Sequence, residues 1–270
     1  MAALGLADAL MARAVRISHQ RILDHRGRLL SEIDLRRVWK HVGPCVGIRR
    51  ADLHRILLDG AAGVPIRLSK TVTSVTQTAE KVCVRFDDGR TRFFDLVIGA
   101  DGINSSIRRL VFGDIQPRHV GQISWRFIAQ ETYGVTTWTA MLARGRTFLM
   151  IPVEADALYC YADLTANGTE PCDRVRERAA HAISPNMAQG ASMALEDALI
   201  LTGELTSGRS PIDALAAFAA RRRKRIQWVR QRTHRRDRIR RLPTLLRNLS
   251  LRLMGSAIYE ADYRPLFDEP

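Results

Sequence analysis

Between Asp95 and Leu110 the chain reads DLVIGADGINSSIRRL, and five residues of that stretch have the types and spacing for chemistry. Gly99 and Gly102 frame a turn whose backbone N–H groups can approach a ligand with no side chain in the way. Asp101 sets a carboxylate beside them, and Ser105 and Arg108 open a helix whose N-terminus favours anionic groups. On pattern alone such a turn also occurs in α/β proteins that bind nothing there. Two other places invite the same question. Arg50, next to Arg49, stands at the entrance of a helix in which Leu53, Ile56 and Leu57 repeat at helical spacing. Pro185, Gln189, Gly190 and Ala191 precede a helix carrying Met193, Ala194, Leu195 and Ala198 on its apolar side, followed by Glu196 and Asp197.

The elements that must hold these residues can be read from periodicity. Leu96, Val97 and Ile98 read as a buried strand running into the Gly99 turn. Before it, from Val64 to Phe94, the period is two, and Asp87-Asp88-Gly89 marks a hairpin turn, so a β-meander leads into that strand. Val15 to Leu30 reads as a hairpin around Asp24 to Gly27, after an N-terminal helix expected to pack Leu4, Leu6, Leu10 and Met11. Beyond the Asp101 helix, segments 121–128, 136–143, 145–153 and 158–164 predict an antiparallel sheet that needs a helix or a ligand on one face. Trp125, Trp138 and Phe148 are its candidate pocket residues, although aromatic strand residues are more often core. Ser210-Pro211-Ile212-Asp213 starts a helix predicted to reach Leu242, with Leu215, Phe218, Ile226 and Val229 on one face.

Composition bounds the rest. A chain of 270 residues with 46% hydrophobic content can bury a core, and a formal charge of +14 favours acidic cofactors or partners. Four cysteines without a C-x-x-C pair signal neither zinc nor a disulfide framework and suit a reducing, cytoplasmic setting. No histidine pair has metal spacing, and no nucleophile stands with its base. No stretch has the length of a membrane span. Twelve Lys or Arg residues lie between Arg221 and Arg241. They read either as a solvated helix or as a patch for nucleic acid or an anionic membrane, and charges spread all round the helix favour the first.

The string Asp95-Leu-Val-Ile-Gly-Ala-Asp-Gly with Ser105 and Arg108 resembles the "DG" signature of FAD-dependent aromatic hydroxylases, the para-hydroxybenzoate and salicylate hydroxylase-like flavin monooxygenases. Arg50-Ala-Asp-Leu53-His-Arg-Ile-Leu57 is similar to the family element whose arginine lies beside the flavin. Residues 179–201 resemble the second flavin signature, where a helix N-terminus would stabilise negative charge on the reduced ring. The resemblance implies FAD as cofactor, NAD(P)H as co-substrate, and hydroxylation of a small aromatic or heterocyclic substrate with molecular oxygen. It assigns cofactor contacts to Arg50, Gly99, Asp101, Gly102, Ser105, Arg108, Pro185, Gln189, Gly190 and Ala191; catalytic residues stay unassigned.

The implied fold is α/β: a Rossmann-like FAD-binding domain over 1–112 and 179–208, an inserted antiparallel sheet over 113–178, and a C-terminal basic helix and tail over 209–270. The sequence departs from the family in three places. No Gly-x-Gly-x-x-Gly turn occurs, so the first β-α-β unit that would hold the FAD pyrophosphate is not among these residues. Between Leu164 and Ala179 the family has several tens of residues more. Glu177 and Arg178 stand where it has Gly-Asp, and Ala188 where it has glycine. These departures predict weak FAD retention by this chain alone and impaired activity. The alternative reading is an inactive, degenerate homologue acting as a basic binding protein.

Overall fold

The computed structural model describes residues 1–114, 121–165, 190–240 and 242–267. The described residues within 1–62, 121–170 and 191–270 form one compact unit, and those within 63–120 and 171–190 form a second.

The first unit is built on a six-stranded sheet of order β3-β2-β9-β10-β11-β8. Strands β8 (Gln122–Ala129), β9 (Trp138–Ala143), β10 (Arg146–Pro152) and β11 (Leu158–Thr165) are antiparallel neighbours, as their alternation predicts. The hairpin β2 (His19–Asp24) and β3 (Leu29–Asp34) joins the same sheet, because β2 pairs in parallel with β9 from Gln20↔Trp138 to Asp24↔Leu142. Its turn is closed by Asp24, which is fully buried and accepts from the Arg26 and Arg28 N–H groups and from Arg28 Nε at 2.7 Å. A two-residue ladder of β1 (Val15–Arg16) and β4 (Val46–Gly47) lies by the sheet, and a Cβ on Gly47 would overlap the Pro152 carbonyl.

Paired residues of adjacent strands share a face, so the register sorts the side chains. One face carries Ile22, Ser31, Ala140, Tyr161 and Asp163. Helix α7 (Thr244–Tyr263) covers it, with Gly255 so close to Ser31 that a Cβ would overlap its side chain. The other face carries Trp125, Phe127, Phe148, Met150 and Met141. Four shorter or flanking helices complete the unit: α1 (Ala7–Met11), α2 (Leu35–Val38), α3 (Arg50–Gly60) and α5 (Gly190–Leu205), the last beginning at the boundary of the second unit. The long α6 (Pro211–Arg240) starts where the sequence predicts, Ser210 Oγ accepting from the Asp213 N–H at 3.2 Å and donating to its carboxylate at 2.7 Å. The expected single N-terminal helix is instead a 3-10 turn and α1, separated at Gly5 in the left-handed region, and Leu4 is exposed.

The second unit is the meander β5 (Val72–Gln77), β6 (Val82–Phe86) and β7 (Thr91–Phe94), antiparallel in that order, with α4 (Ser106–Phe112) against β5. Leu96, Val97 and Ile98 do not form the expected buried strand: the segment is irregular and Ile98 is 60% exposed. A strand exists only in a ladder, and among the described residues no strand runs beside this segment to supply one. Among the described residues no helix is long and apolar enough to cross a membrane.

Candidate functional site

The Asp101 turn is a braced loop. Asp101 accepts from Ser105 Oγ, from Ser106 Oγ at 3.0 Å and from the Ile107 N–H at 3.0 Å, while Ser105 Oγ caps α4 by accepting from the Arg108 N–H at 2.9 Å. Arg108 reaches back to the Ile103 carbonyl at 2.7 Å. Burial works to raise the Asp101 pKa, but the bonds from Ser105, Ile107 and Ser106 overcome it and hold the carboxyl at about 2. Asp101 is therefore ionised at neutral pH and shapes the loop with its own charge. The two glycines serve different ends. Gly102 has φ +79° with open space where a Cβ would sit, so it leaves a bare, accessible backbone. A Cβ on Gly99 would press on Ile107 at 2.8 Å, which makes that glycine a packing requirement of α4.

The two arginines that open α3 separate cleanly. Arg49 is tied to Glu154 at 2.5 Å, whereas Arg50 is exposed at the first helical position. Helix α3 is anchored beneath them by Ile56, which is buried. Pro185 and Gln189 lie outside the described residues, as do Glu177, Arg178, His181 and Ala188. Gly190 and Ala191 are exposed at the start of α5. Met193 and Ile200 are the residues α5 buries; Ala194 and Ala198, expected on its apolar side, face solvent.

Of the three aromatic candidates, the register brings two together. Trp125 and Phe148 both stand opposite Ala162 and share the face away from α7, whereas Trp138 points to the covered face beside Gln20. Phe127, 52% exposed, and Met150 join Trp125 and Phe148, both lying across from Cys160. The alternation Trp125-x-Phe127 and Phe148-x-Met150 was the signal for this wall.

The basic helix is where the sequence reading departs furthest from the structure. Arg222, 1% exposed, donates to Glu196 at 2.7 Å and to Asp197 at 2.6 Å, fixing α6 to α5. Arg225 adds a bond to the Pro265 carbonyl and an ion pair to Glu196. Arg232 and Arg236 hold the buried Asp262 at 3.1 and 3.3 Å, and Arg240 holds the buried Asp163 of β11. These arginines recur about every fourth residue, so they share the inner face with Ala214, Val229 and Thr233. Leu215 is exposed. The helix is not a uniformly solvated element: the acids that turn its arginines inward lie 20 or more residues away in sequence or on another element, which spacing along one helix cannot reveal.

No family model matches the chain. It is 26% identical over 239 residues to 2-heptyl-3-hydroxy-4(1H)-quinolone synthase of Pseudomonas aeruginosa, covering 69% of this chain and 62% of that protein, so the chain spans under two thirds of that relative's length. It is 26% identical over 284 residues to FAD-dependent urate hydroxylase of Klebsiella pneumoniae, covering 84% of this chain and 74% of the relative. Among solved structures, Klebsiella pneumoniae HpxO complexed with FAD and uric acid superposes with a TM-score of 0.85 at 22% identity over 99% of this chain and 85% of the other. The homologues and structural neighbours are thus FAD-dependent monooxygenases of the aromatic-hydroxylase type, and the α/β fold with its antiparallel sheet and C-terminal helices is theirs.

Proposed function

We propose that this chain is the flavin- and substrate-contacting part of an FAD-dependent monooxygenase that hydroxylates a small aromatic or heterocyclic ring with NAD(P)H and oxygen. The observation that carries the reading is the braced Asp101 turn: an ionised carboxylate, a bare Gly102 backbone and a capped helix start, on a chain whose relatives are flavin monooxygenases. The residues present fit the cofactor in kind. Gly102 leaves backbone open to a ligand, Arg50 offers an exposed guanidinium, and Gly190 and Ala191 leave the start of α5 uncovered. Pro185 and Gln189 complete the proposed contact set with Gly99, Ser105 and Arg108, the last two acting by holding the turn in shape. When bound, FAD supplies the redox and oxygen chemistry; the protein supplies binding, orientation and shelter from water.

Substrate class follows from the open sheet face. Trp125, Phe127 and Phe148 give a flat aromatic wall, and rings favour offset or edge-on contact with a second ring. The two relatives are named for a quinolone and for urate, both fused heterocycles, which supports that class. Cys45, Cys83 and Cys160, the cysteines among the described residues, are free, which suits a cytoplasmic setting. With no Gly-x-Gly-x-x-Gly turn among its residues, the chain lacks several hydrogen bonds to the pyrophosphate, each worth about 1.5 to 3 kcal/mol, and holds FAD weakly.

The test is a titration with FAD followed by NAD(P)H oxidation at saturating FAD, with heterocyclic substrates screened for an added oxygen atom by mass. Weak but saturable binding that Asp101→Ala abolishes while the fold is kept, together with an oxygenated product, is the expected result. Equal losses of binding and of folding in Asp101→Ala would reduce the turn to a structural element, and submicromolar binding by the unmodified chain would remove the weak-retention part.

A further inference from the structure

Helix α7 buries one side against the sheet and leaves the other bare. Leu245, Leu249 and Leu253, four residues apart and therefore stacked on successive turns, are 85%, 55% and 73% exposed, and Leu246 and Met254 widen the stripe. Between Leu242 and Ile258 the sequence has no Asp or Glu. Leu242 also lines an open groove of about 640 Å³ along α6, with Trp228, Arg232, Arg235 and Arg238. The described lining is cationic: Arg232 and Arg235 both pair with Asp262, and Arg238 is exposed. Arg232 lies over the Trp228 ring at 5.8 Å, and the Trp228 indole N–H is buried without an acceptor among the described residues.

We propose that this face docks on an anionic phospholipid membrane, the leucine stripe entering the boundary of the acyl chains and the groove receiving lipid phosphate. An anionic bilayer supplies both things the face lacks, an apolar cover for the leucines and negative charge for the arginines. Trp228 lines the groove beside these arginines, so its ring lies where lipid would approach. A second copy of the chain fits less well. An isologous interface sets the same stripe on both sides, and between Leu242 and Ile258 that stripe has arginines and no acid to answer them. This inference stands apart from the flavin reading and does not require it.

Flotation of the intact chain with vesicles tests it, using phosphatidylcholine alone and phosphatidylcholine mixed with phosphatidylglycerol. The chain is expected to float with the mixed vesicles only, less so at high salt, and brominated lipid is expected to quench Trp228 in a chain whose other tryptophans are replaced by Phe. Replacing Leu245, Leu249 and Leu253 with Gln, all exposed and so tolerated by the fold, should weaken partition on the order of tenfold per leucine. Arg235→Gln and Arg238→Gln should each weaken it about fivefold. The proposal fails if neither vesicle floats the chain, or if the leucine variants float as well as the parent, which would mean general attraction by net charge. It also fails if light scattering shows a dimer that the leucine variants dissolve, which would assign the stripe to a second copy.

Discussion

Helix α6 and the meander unit invert the usual placement of side chains in opposite directions. In α6 a guanidinium is buried, that of Arg222 at 1% exposure, and the buried acids Asp163 and Asp262 are each met by an arginine of this helix. In the meander unit, apolar groups face out: Leu68 is 82%, Phe112 71%, Phe93 65% and Ile98 60% exposed, while Val84 is the buried hydrophobic residue among those described. A buried guanidinium must be fully answered, since its desolvation is repaid only by close, well-directed partners. An exposed phenylalanine loses comparatively little by staying where it is. The lesson is that the first unit is held by specific pairs that fail when one partner is lost, whereas the described part of the second is held by backbone ladders and one braced loop.

The sharpest way to break that comparison is Arg222→Ala. It removes the buried guanidinium that Glu196 and Asp197 share, and breaking such a pair costs about 3 to 5 kcal/mol, read as a fall in the urea midpoint. All tryptophans, Trp39, Trp125, Trp138 and Trp228, lie in the first unit, so their fluorescence reports its unfolding alone. Arg222→Met combined with Glu196→Gln and Asp197→Asn should recover most of the loss; a single-variant cost near zero would mean that the pairs are incidental.

Next in size is Gly255→Ala. The added methyl overlaps Ser31, and overpacking of this kind costs about 1 to 3 kcal/mol, relieved when Ser31→Gly is added. No relief in the double variant would show that α7 is not seated on β3 as described.

The brace in the second unit should respond to acid. The Asp101 pKa in the folded chain, about 2, lies below its ordinary 3.8, so the brace contributes in full above about pH 4 and is lost as pH falls toward 2. The Ile107 amide, which donates to Asp101, should lose exchange protection over that window, and in Asp101→Asn it should exchange faster at neutral pH as well. Protection unchanged down to pH 2 would place the Ile107 hydrogen bond elsewhere. The smallest effect belongs to Phe112→Ser, at 71% exposure expected to change stability by less than about 0.5 kcal/mol in proteolysis across urea concentrations. A loss well above 1 kcal/mol would show that this phenylalanine is covered in solution.

What the sequence discloses of all this divides by range. Local signals carried far: the meander with its Asp87-Asp88-Gly89 turn, the Ser210-Pro211 helix start and the antiparallel order of residues 122–165 all follow from periods and turn residues a few positions apart. Interactions between distant positions did not. Nothing near Arg222 announces Glu196, and the strand pattern of Leu96 to Ile98 says nothing about whether a neighbour exists to pair with it. For the site, residue types marked Asp101, Ser105 and Arg50, but the bracing of Asp101 by its own helix and the split of Trp138 from Trp125 and Phe148 needed geometry.

The parallel pairing of β2 with β9 has a consequence for the order in which the protein is made. Residues 19–24 leave the ribosome well before residues 138–142, their partners, and at ordinary synthesis rates the interval is on the order of ten seconds. Through that interval the outer edge of β2 in the hairpin, with Ile22 and Leu23 on it, waits for its partner. The bonds that fix its turn, from Arg26 and Arg28 to the carboxylate of Asp24, are all local and need no later residue. Arg21 pairs with Glu32 across the hairpin, so charged side chains flank the waiting strand, which discourages another nascent copy from adding to the edge. The turn therefore needs no later residue to close it, and a change at Asp24 should show first as lost yield during synthesis.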